Sequence, residues 1–175
     1  MQSPEGRYPG AVVEMELVGV RVEMPSSTPI ALLREVGGEN RVLPIFIGAP
    51  EATAIAFALE EVVTPRPMTH DLFRSVLDDL GVSLEKVTVT ELREGVFHAE
   101  LELNGRDGVH TVTSRPSDAI ALAARTGSPI YADEAVLAEA GYLEEPEPPE
   151  EAEAAEVVEQ FKEFIDSVDP EDFAL

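Results

Sequence analysis

The segment Val96-Phe-His-Ala-Glu-Leu-Glu-Leu103 alternates apolar and polar side chains. This period of two is typical of a half-buried β-strand, so every second residue from Phe97 to Leu103 is expected to face a core. The similar segment Leu84–Leu92 precedes it across the turn Arg93-Glu-Gly95, and Val109–Thr113 follows it. Three strands joined by short turns indicate an antiparallel meander.

Three further strands are predicted nearer the N-terminus, at Ala11–Met24, Ile30–Val36 and Arg41–Ile47. In the first of them the apolar positions change phase, which predicts a bulge near Gly19. In the third, Pro44 cannot donate a hydrogen bond to a neighbouring strand, which predicts an edge position or a break there.

Helices are predicted between and after these strands. Pro50–Val63 is apolar nearly all round, which indicates burial in the fold or in an interface. The second helix is expected to begin with Thr69 as its N-cap and to stop at Gly81. Two more are predicted at Pro116–Thr126 and, after a short strand over Pro129–Ala132, from Asp133 to Ala140. This order favours an α+β fold with a mostly antiparallel sheet and helices packed against it.

Charge separates the last 32 residues from the rest. The chain has a net charge of −23, and residues 144–175 alone contain 13 acidic residues against one basic residue, Lys162. We therefore predict an α+β domain over residues 1–143 and an acidic linker and tail over residues 144–175. Apolar residues at helical spacing between Val157 and Val168 predict a C-terminal amphipathic helix. The acidic tail could engage a protein partner.

Composition excludes several functional classes. The chain has no cysteine, which excludes a disulfide scaffold, a thiolate nucleophile and an iron–sulfur cluster, and fits a cytoplasmic location. It has no apolar stretch near the ~20 residues of a membrane helix and no secretory signal. Its negative charge opposes nucleic-acid binding, which would then need a local basic patch or bound cations.

Two segments place an arginine, a proline and a carboxylate at a helix start. They are Arg66-Pro-Met-Thr-His-Asp71 and Arg115-Pro-Ser-Asp118. An arginine can clamp a phosphate, a carboxylate can hold a hard cation, and His70 can transfer a proton. The alternative is ordinary helix-start chemistry, because proline, serine or threonine, and aspartate are all common in a first turn.

These segments, preceded by Leu43-Pro-Ile-Phe-Ile-Gly-Ala-Pro-Glu51 and followed by Gly127-Ser-Pro-Ile-Tyr131, resemble the bifunctional nuclease family over about residues 11–143. The acidic tail is similar to an extension of bacterial members. The resemblance implies an α+β domain that forms a homo-oligomer and a nuclease that acts on DNA and RNA. By motif position, the candidate residues are Glu51, Glu60, His70, Asp71, Arg115, Ser117 and Asp118.

One hypothesis is a metal-assisted nuclease. Glu51, Asp71 and Asp118 would bind Mg²⁺ or Mn²⁺, and His70, Asp71, Arg115 and Asp118 would be catalytic. Arg66 and Ser117 would bind substrate. This hypothesis requires the two helix starts to converge in space. The alternatives are a non-catalytic oligomeric interaction or regulatory module and, with less support, a sensor of small anionic ligands at the same helix starts.

Overall fold

The computed structural model describes residues 10–144 and contains eight strands and four helices in this range. The strands are β1 (Val12–Glu23), β2 (Thr28–Glu35), β3 (Arg41–Phe46), β4 (Ser83–Arg93), β5 (Val96–Gly105), β6 (Gly108–Ser114), β7 (Ile130–Asp133) and β8 (Tyr142–Leu143). The helices are α1 (Ala49–Leu59), α2 (Thr69–Leu80), α3 (Pro116–Thr126) and α4 (Glu134–Ala140). The predicted C-terminal helix lies outside the described residues, and the division at residues 143 and 144 stays a prediction.

All eight strands form one sheet in the order β6-β5-β4-β7-β1-β2-β3-β8. Its pairs are antiparallel except β4 with β7, which are parallel. The register of β1 against β2 shifts between Leu17 and Gly19, which confirms the predicted bulge. The predicted α+β class with a mostly antiparallel sheet is therefore confirmed.

The core lies between the sheet and the helices. Helix α3 packs against α1, α2, β4 and β5, and α4 packs against β3, β4 and β7. The largest side chains buried completely or almost completely are Leu33, Leu43, Ile55, Ile120, Leu137, Val42 and Val89. They come from β2, β3, β4, α1, α3 and α4, so both halves of the sheet contribute to the core.

Two helix boundaries differ from the sequence prediction. Helix α1 ends at Leu59 rather than Val63, and Glu61 adopts a positive φ of 53° just beyond it. The N-cap of α2 is Met68 rather than Thr69, because the Asp71 carboxylate accepts a hydrogen bond of 2.9 Å from the Met68 backbone N–H. Helix α3 has the predicted bounds, and Gly127 ends it in the left-handed conformation.

An ion-pair cluster ties the β2–β3 turn to α4. The Arg41 guanidinium donates hydrogen bonds to both carboxylate oxygens of Glu35 and of Glu134. The Arg41 hydrogen bond lowers the pKa of the buried Glu35 carboxyl from 4.5 to about 2. Among the described residues, no helix is both long and apolar enough to span a membrane.

Candidate active site

The starts of α2 and α3 meet in space. The Nε2 atom of His70, in the first turn of α2, lies 3.1 Å from Oδ1 of Asp118, in the first turn of α3. His70 is largely buried, with 14% of its side chain exposed, and Asp118 is 35% exposed. The convergence that the nuclease hypothesis requires is therefore present between these two residues.

Arg115 connects this pair to α1. Its Nε and Nη2 atoms donate to the two Asp118 oxygens at 2.8 and 3.1 Å, which is a bidentate pair. Its Nη1 atom lies 2.9 Å from Oε1 of Glu51. Arg115 is the N-cap of α3, and Glu51 lies in the first turn of α1, so three helix starts converge on one guanidinium. We name His70, Asp118, Arg115 and Glu51 the helix-start cluster.

The helix-start cluster favours the ionised form of the Asp118 carboxyl. Burial by itself raises the pKa of Asp118, but the hydrogen bonds from Arg115 and His70 outweigh it and hold the pKa below the ordinary value. The pKa of Arg115 is raised, chiefly by the hydrogen bond to Asp118. An aspartate that contacts one ring nitrogen of a histidine fixes the orientation of the imidazole, as in catalytic histidine–aspartate pairs.

A cavity of about 550 Å³ opens beside the cluster. Its walls come from α2, β5, β6 and α3, and they include the following residues: Thr69, His70, Phe73, Leu101, Val112, Thr113, Ser114, Arg115, Asp118 and Leu122. The cavity is large enough for a small ligand or part of a polymer. His70, Asp118 and Arg115 all line this one cavity.

Asp71 takes no part in this cluster. Its Oδ1 atom accepts a 2.6 Å hydrogen bond from Nε of Arg125, and its Oδ2 atom accepts the bond from the Met68 backbone. Arg125 is 6% exposed and also donates to the backbone oxygen of Ala121. The Arg125 hydrogen bond is the main cause of the lowered pKa of Asp71. These contacts give Asp71 a structural role in joining α2 to α3.

The predicted metal ligands are therefore not assembled as a set. Glu51 and Asp118 both contact Arg115, whereas Asp71 is bonded to Arg125. Within residues 10–144, no three histidine, aspartate or glutamate side chains form a group that could hold a metal ion. The donor set does not fit the three-carboxylate site predicted for Mg²⁺ or Mn²⁺.

The other predicted site residues, Ser117, Arg66 and Glu60, lie outside the helix-start cluster. Ser117 is buried and borders a second cavity beside Arg115. Arg66 is exposed and is not among the residues that line the cavity at His70. Glu60 is exposed at the C-terminal end of α1, at the opposite end of that helix from Glu51.

The sequence reading missed Arg125, the partner of Asp71. The spacing in the sequence could have indicated this residue. Arg125 follows Asp118 by seven residues, and seven residues are nearly two full helical turns. Asp118 and Arg125 thus share one face of α3. Their partners, His70 and Asp71, are consecutive on α2, so the two pairs form a ladder between the helices.

Comparisons with known proteins identify the family of this chain. A family model described as the bifunctional nuclease domain matches residues 31–145. An uncharacterized protein of Mycobacterium tuberculosis (strain H37Rv) is 50% identical over 130 residues, which cover 74% of this chain and 77% of that protein.

Two plant proteins are more distant relatives. "Bifunctional nuclease 1" of Arabidopsis thaliana is 27% identical over 69% of this chain, and "Bifunctional nuclease 2" of Oryza sativa subsp. japonica is 28% identical over 70%. The matched regions span 40% and 39% of those two proteins. Because the family match covers more than half of the chain and the helix-start cluster lies within it, the chain belongs to the bifunctional nuclease domain family.

Proposed function

We propose that this protein is a nuclease that hydrolyses phosphodiester bonds of DNA and RNA. The observation that carries the proposal is the contact of His70 and Arg115 with the same carboxylate, that of Asp118, at the wall of a cavity of about 550 Å³. A proton acceptor and a guanidinium held side by side suit attack of water on a phosphodiester. The names of the two plant relatives support the same activity.

His70 acts as the general base in this proposal. It takes a proton from the attacking water while the water oxygen bonds to phosphorus and the bond to the leaving oxygen breaks. The leaving oxygen then takes a proton from solvent water, and the imidazolium returns its proton to solvent. Asp118 holds the imidazole in position through the 3.1 Å contact at Nε2 and stabilises its protonated form. This assignment leaves the other ring nitrogen, Nδ1, to accept the proton.

Arg115 binds the phosphate. Its side chain is 65% exposed, and its contact with Glu51 is the contact that a phosphate oxygen would replace. The bidentate pair with Asp118 can persist during this exchange, because it uses Nε and Nη2 while Glu51 uses Nη1. Substrate binding by Arg66 and Ser117 stays a prediction, as does a requirement for Mg²⁺ or Mn²⁺.

The direct test is hydrolysis of single-stranded DNA and RNA by the full chain, with EDTA and with added Mg²⁺ or Mn²⁺. The protein should be assayed beside the variants Asp118→Ala and Asp71→Ala. We expect Asp118→Ala to abolish hydrolysis and Asp71→Ala to retain it in the fraction that is folded. Equal hydrolysis by both variants and the unmodified protein would indicate a contaminating nuclease and refute the proposal.

A second candidate function is that of an oligomeric interaction module. Strand β6 forms one edge of the sheet and contains no aspartate, glutamate, lysine or arginine, although these residues make up 27% of the chain. Edge strands are usually protected by charges, so an unprotected edge favours pairing with another strand. On α2, Leu72, Val76 and Leu80 are 56%, 46% and 62% exposed. A second copy of the chain would cover both surfaces in a homo-oligomer.

Size-exclusion chromatography with light scattering tests whether the chain forms a homo-oligomer. We expect a mass above the 18.9 kDa of one chain, and we expect Val109→Glu on β6 to reduce it toward that value. A monomeric unmodified protein would rule out the homo-oligomer. Engagement of a protein partner by the acidic tail concerns residues outside the described range and stays a prediction, as does a cytoplasmic location.

A further inference from the structure

A second cavity, of about 380 Å³, shares Arg115 with the cavity at His70. We name it the mouth cavity. Its walls come from the end of β3 and the residues that lead into α1, from the turn between β4 and β5, and from the start of α3. Arg115 and Ser117 are its two lining residues with polar side chains, and the full set is Ile45, Phe46, Ile47, Gly48, Gly95, Val96, Phe97, Arg115, Pro116 and Ser117.

The side chain of Ser117 is buried without a hydrogen-bond partner. Ser117 is 7% exposed, and its hydroxyl neither donates nor accepts a hydrogen bond within residues 10–144. Every fully enclosed side-chain nitrogen or oxygen in this range has a partner. The Ser117 hydroxyl is therefore not fully enclosed, and the mouth cavity is the space into which it opens. A buried hydroxyl without a partner costs stability, so this one is better explained by a ligand than by the fold.

Two helix starts border the mouth cavity. Ser117 is the second residue of α3, and Gly48 is the N-cap of α1. Neither N-cap makes a side-chain hydrogen bond to its helix. The first backbone N–H groups of a helix have no partner within the helix, and the helix dipole adds positive potential there. Pro116 has no N–H, so the first amides that α3 presents are those of Ser117 and Asp118. Such amides bind phosphate groups.

Neutral donors suit phosphate binding by a protein with a net charge of −23. Arg115 is already paired with the carboxylates of Asp118 and Glu51, and neither cavity is lined by a lysine or by a second arginine. A hydroxyl and backbone amides can bind a phosphate oxygen without a further cation. The apolar walls of the mouth cavity limit competition from water, which strengthens these hydrogen bonds.

We propose that the mouth cavity is a second phosphate subsite, in which the Ser117 hydroxyl and the first amides of α3 bind the phosphate next to the scissile one in the same strand. The proposal rests on the proposed function, because that function places the scissile phosphate at Arg115 and His70. It identifies the preferred substrate as an oligonucleotide with at least two phosphates. Ser117 is then a specificity-determining residue that contacts the substrate away from the reacting phosphorus.

Isothermal titration calorimetry with three thymidine dinucleotides tests the subsite. The dinucleotide TpT has one phosphate, whereas pTpT and TpTp have a second phosphate on the 5′ or the 3′ side. The parent protein is the full chain carrying His70→Ala, so that no probe is cleaved. We expect one of the two longer probes to bind roughly 10-fold or more tightly than TpT, the gain for a hydrogen bond to a charged group.

Ser117→Ala in the parent protein should remove most of this gain and leave the affinity for TpT unchanged. Ser75→Ala is the matched control, because Ser75 is exposed on α2 and lines neither cavity. Thermal unfolding gives a second readout. Because the Ser117 hydroxyl has no partner in the fold, Ser117→Ala should have an equal or higher Tm. A lower Tm with unchanged binding would show a structural role and overturn the subsite.

Inorganic phosphate distinguishes a subsite for a strand from a site for a free anion. It should bind the parent protein much more weakly than the favoured longer probe, because only the strand adds a second contact at Arg115. If inorganic phosphate binds as tightly as that probe, the mouth cavity holds a free anion and the proposal is overturned.

The outcomes separate the two proposals. Suppose that the unmodified protein cleaves single-stranded DNA, but the parent protein binds all three probes equally or keeps its gain in Ser117→Ala. This result would overturn the subsite and leave the proposed nuclease standing. A failure of the unmodified protein to cleave any strand, with or without metal, would overturn the nuclease and this subsite with it.

Discussion

The starts of α2 and α3 have similar sequences and different environments. Each contributes an aspartate that is paired with an arginine at one end of α3, the N-cap Arg115 or Arg125 of the last turn. Asp71 pairs with Arg125, whose side chain is 6% exposed, at 2.6 Å. Asp118 pairs with Arg115, whose side chain is 65% exposed, at 2.8 Å. The first pair lies between two helices, and the second borders two cavities.

This difference shows that solvent access, and not residue type, separates a structural pair from a candidate catalytic one. A buried arginine held by an aspartate and a backbone oxygen has no freedom to bind a ligand. An exposed arginine can exchange one partner for another at little cost, because exposed ion pairs contribute only about 0–1 kcal/mol. The same two residue types can therefore stabilise the fold at one helix start and bind substrate at the other.

The largest expected effect is loss of activity at the exposed pair. His70→Gln should lower kcat by roughly 10²- to 10⁴-fold, the usual contribution of a general base. The free energy of unfolding should stay within about 1 kcal/mol of that of the unmodified protein. Steady-state hydrolysis of single-stranded DNA and urea denaturation measure the two quantities. The catalytic assignment of His70 is wrong if kcat changes less than tenfold while the free energy of unfolding falls by several kcal/mol.

The second effect is loss of stability at the buried pair. Asp71→Ala leaves the Arg125 charge buried without its carboxylate, so we expect the free energy of unfolding to fall by about 2–3 kcal/mol. Complete burial would cost about 3–5 kcal/mol, but Asp71 is 37% exposed. Asp118→Ala is the matched control and should cost less than about 1 kcal/mol. If denaturant midpoints rank these variants in the opposite order, the structural assignment of Asp71 is wrong.

A third prediction concerns the dependence of stability on pH at the structural ion pair of Glu35 and Arg41. The pKa of Glu35 is lowered from 4.5 to about 2, so its contribution to stability is complete above about pH 4.5 and is lost as the pH falls toward 2. Glu35→Gln should therefore reduce stability at pH 7 and make it less dependent on pH below 4.5. Thermal unfolding over this range would show the change. Glu139→Gln, at an exposed position, should leave the curve unchanged; an equal flattening there would contradict the assignment.

The smallest expected effect concerns the competition between Glu51 and phosphate for Arg115. Glu51→Gln removes one negative charge and weakens the contact at Nη1, so we expect KM for single-stranded DNA to fall up to about fivefold. Glu60→Gln, at the other end of α1, removes the same charge and should leave KM nearly unchanged. A hundredfold loss of kcat in Glu51→Gln would instead support Glu51 as a metal ligand or catalytic residue.

The sequence predicted those helices and strands whose signals lie within the element itself or in the residues next to it. Helix α3 starts with Pro116 and stops before Gly127, and both residues act on their own turn. Alternation alone predicted the inward face of β5. The end of α1 was placed four residues too late, because apolar residues continue past Leu59 although Leu59, Val62 and Val63 are exposed.

Features that depend on distant parts of the chain were not predictable in this way. The pairing of β7 with β4 and the two-residue strand β8 have no local signal, because four and two residues carry little periodicity. In the site, the sequence singled out His70, Arg115 and Asp118 by their helix starts. It could not show that Asp71 is bonded to Arg125 and not to Arg115, because the burial of Arg125 is a property of the packed helices.

The four-residue strand β7 has a consequence for how the protein is made. It lies between β4 and β1 and is the only strand that hydrogen-bonds to both halves of the sheet within residues 10–144. A chain growing from the ribosome therefore holds two incomplete half-sheets until residue 133 has emerged. Fragments that end before this residue should remain open and prone to aggregation, whereas a chain that reaches Asp133 can close its sheet in a single late step.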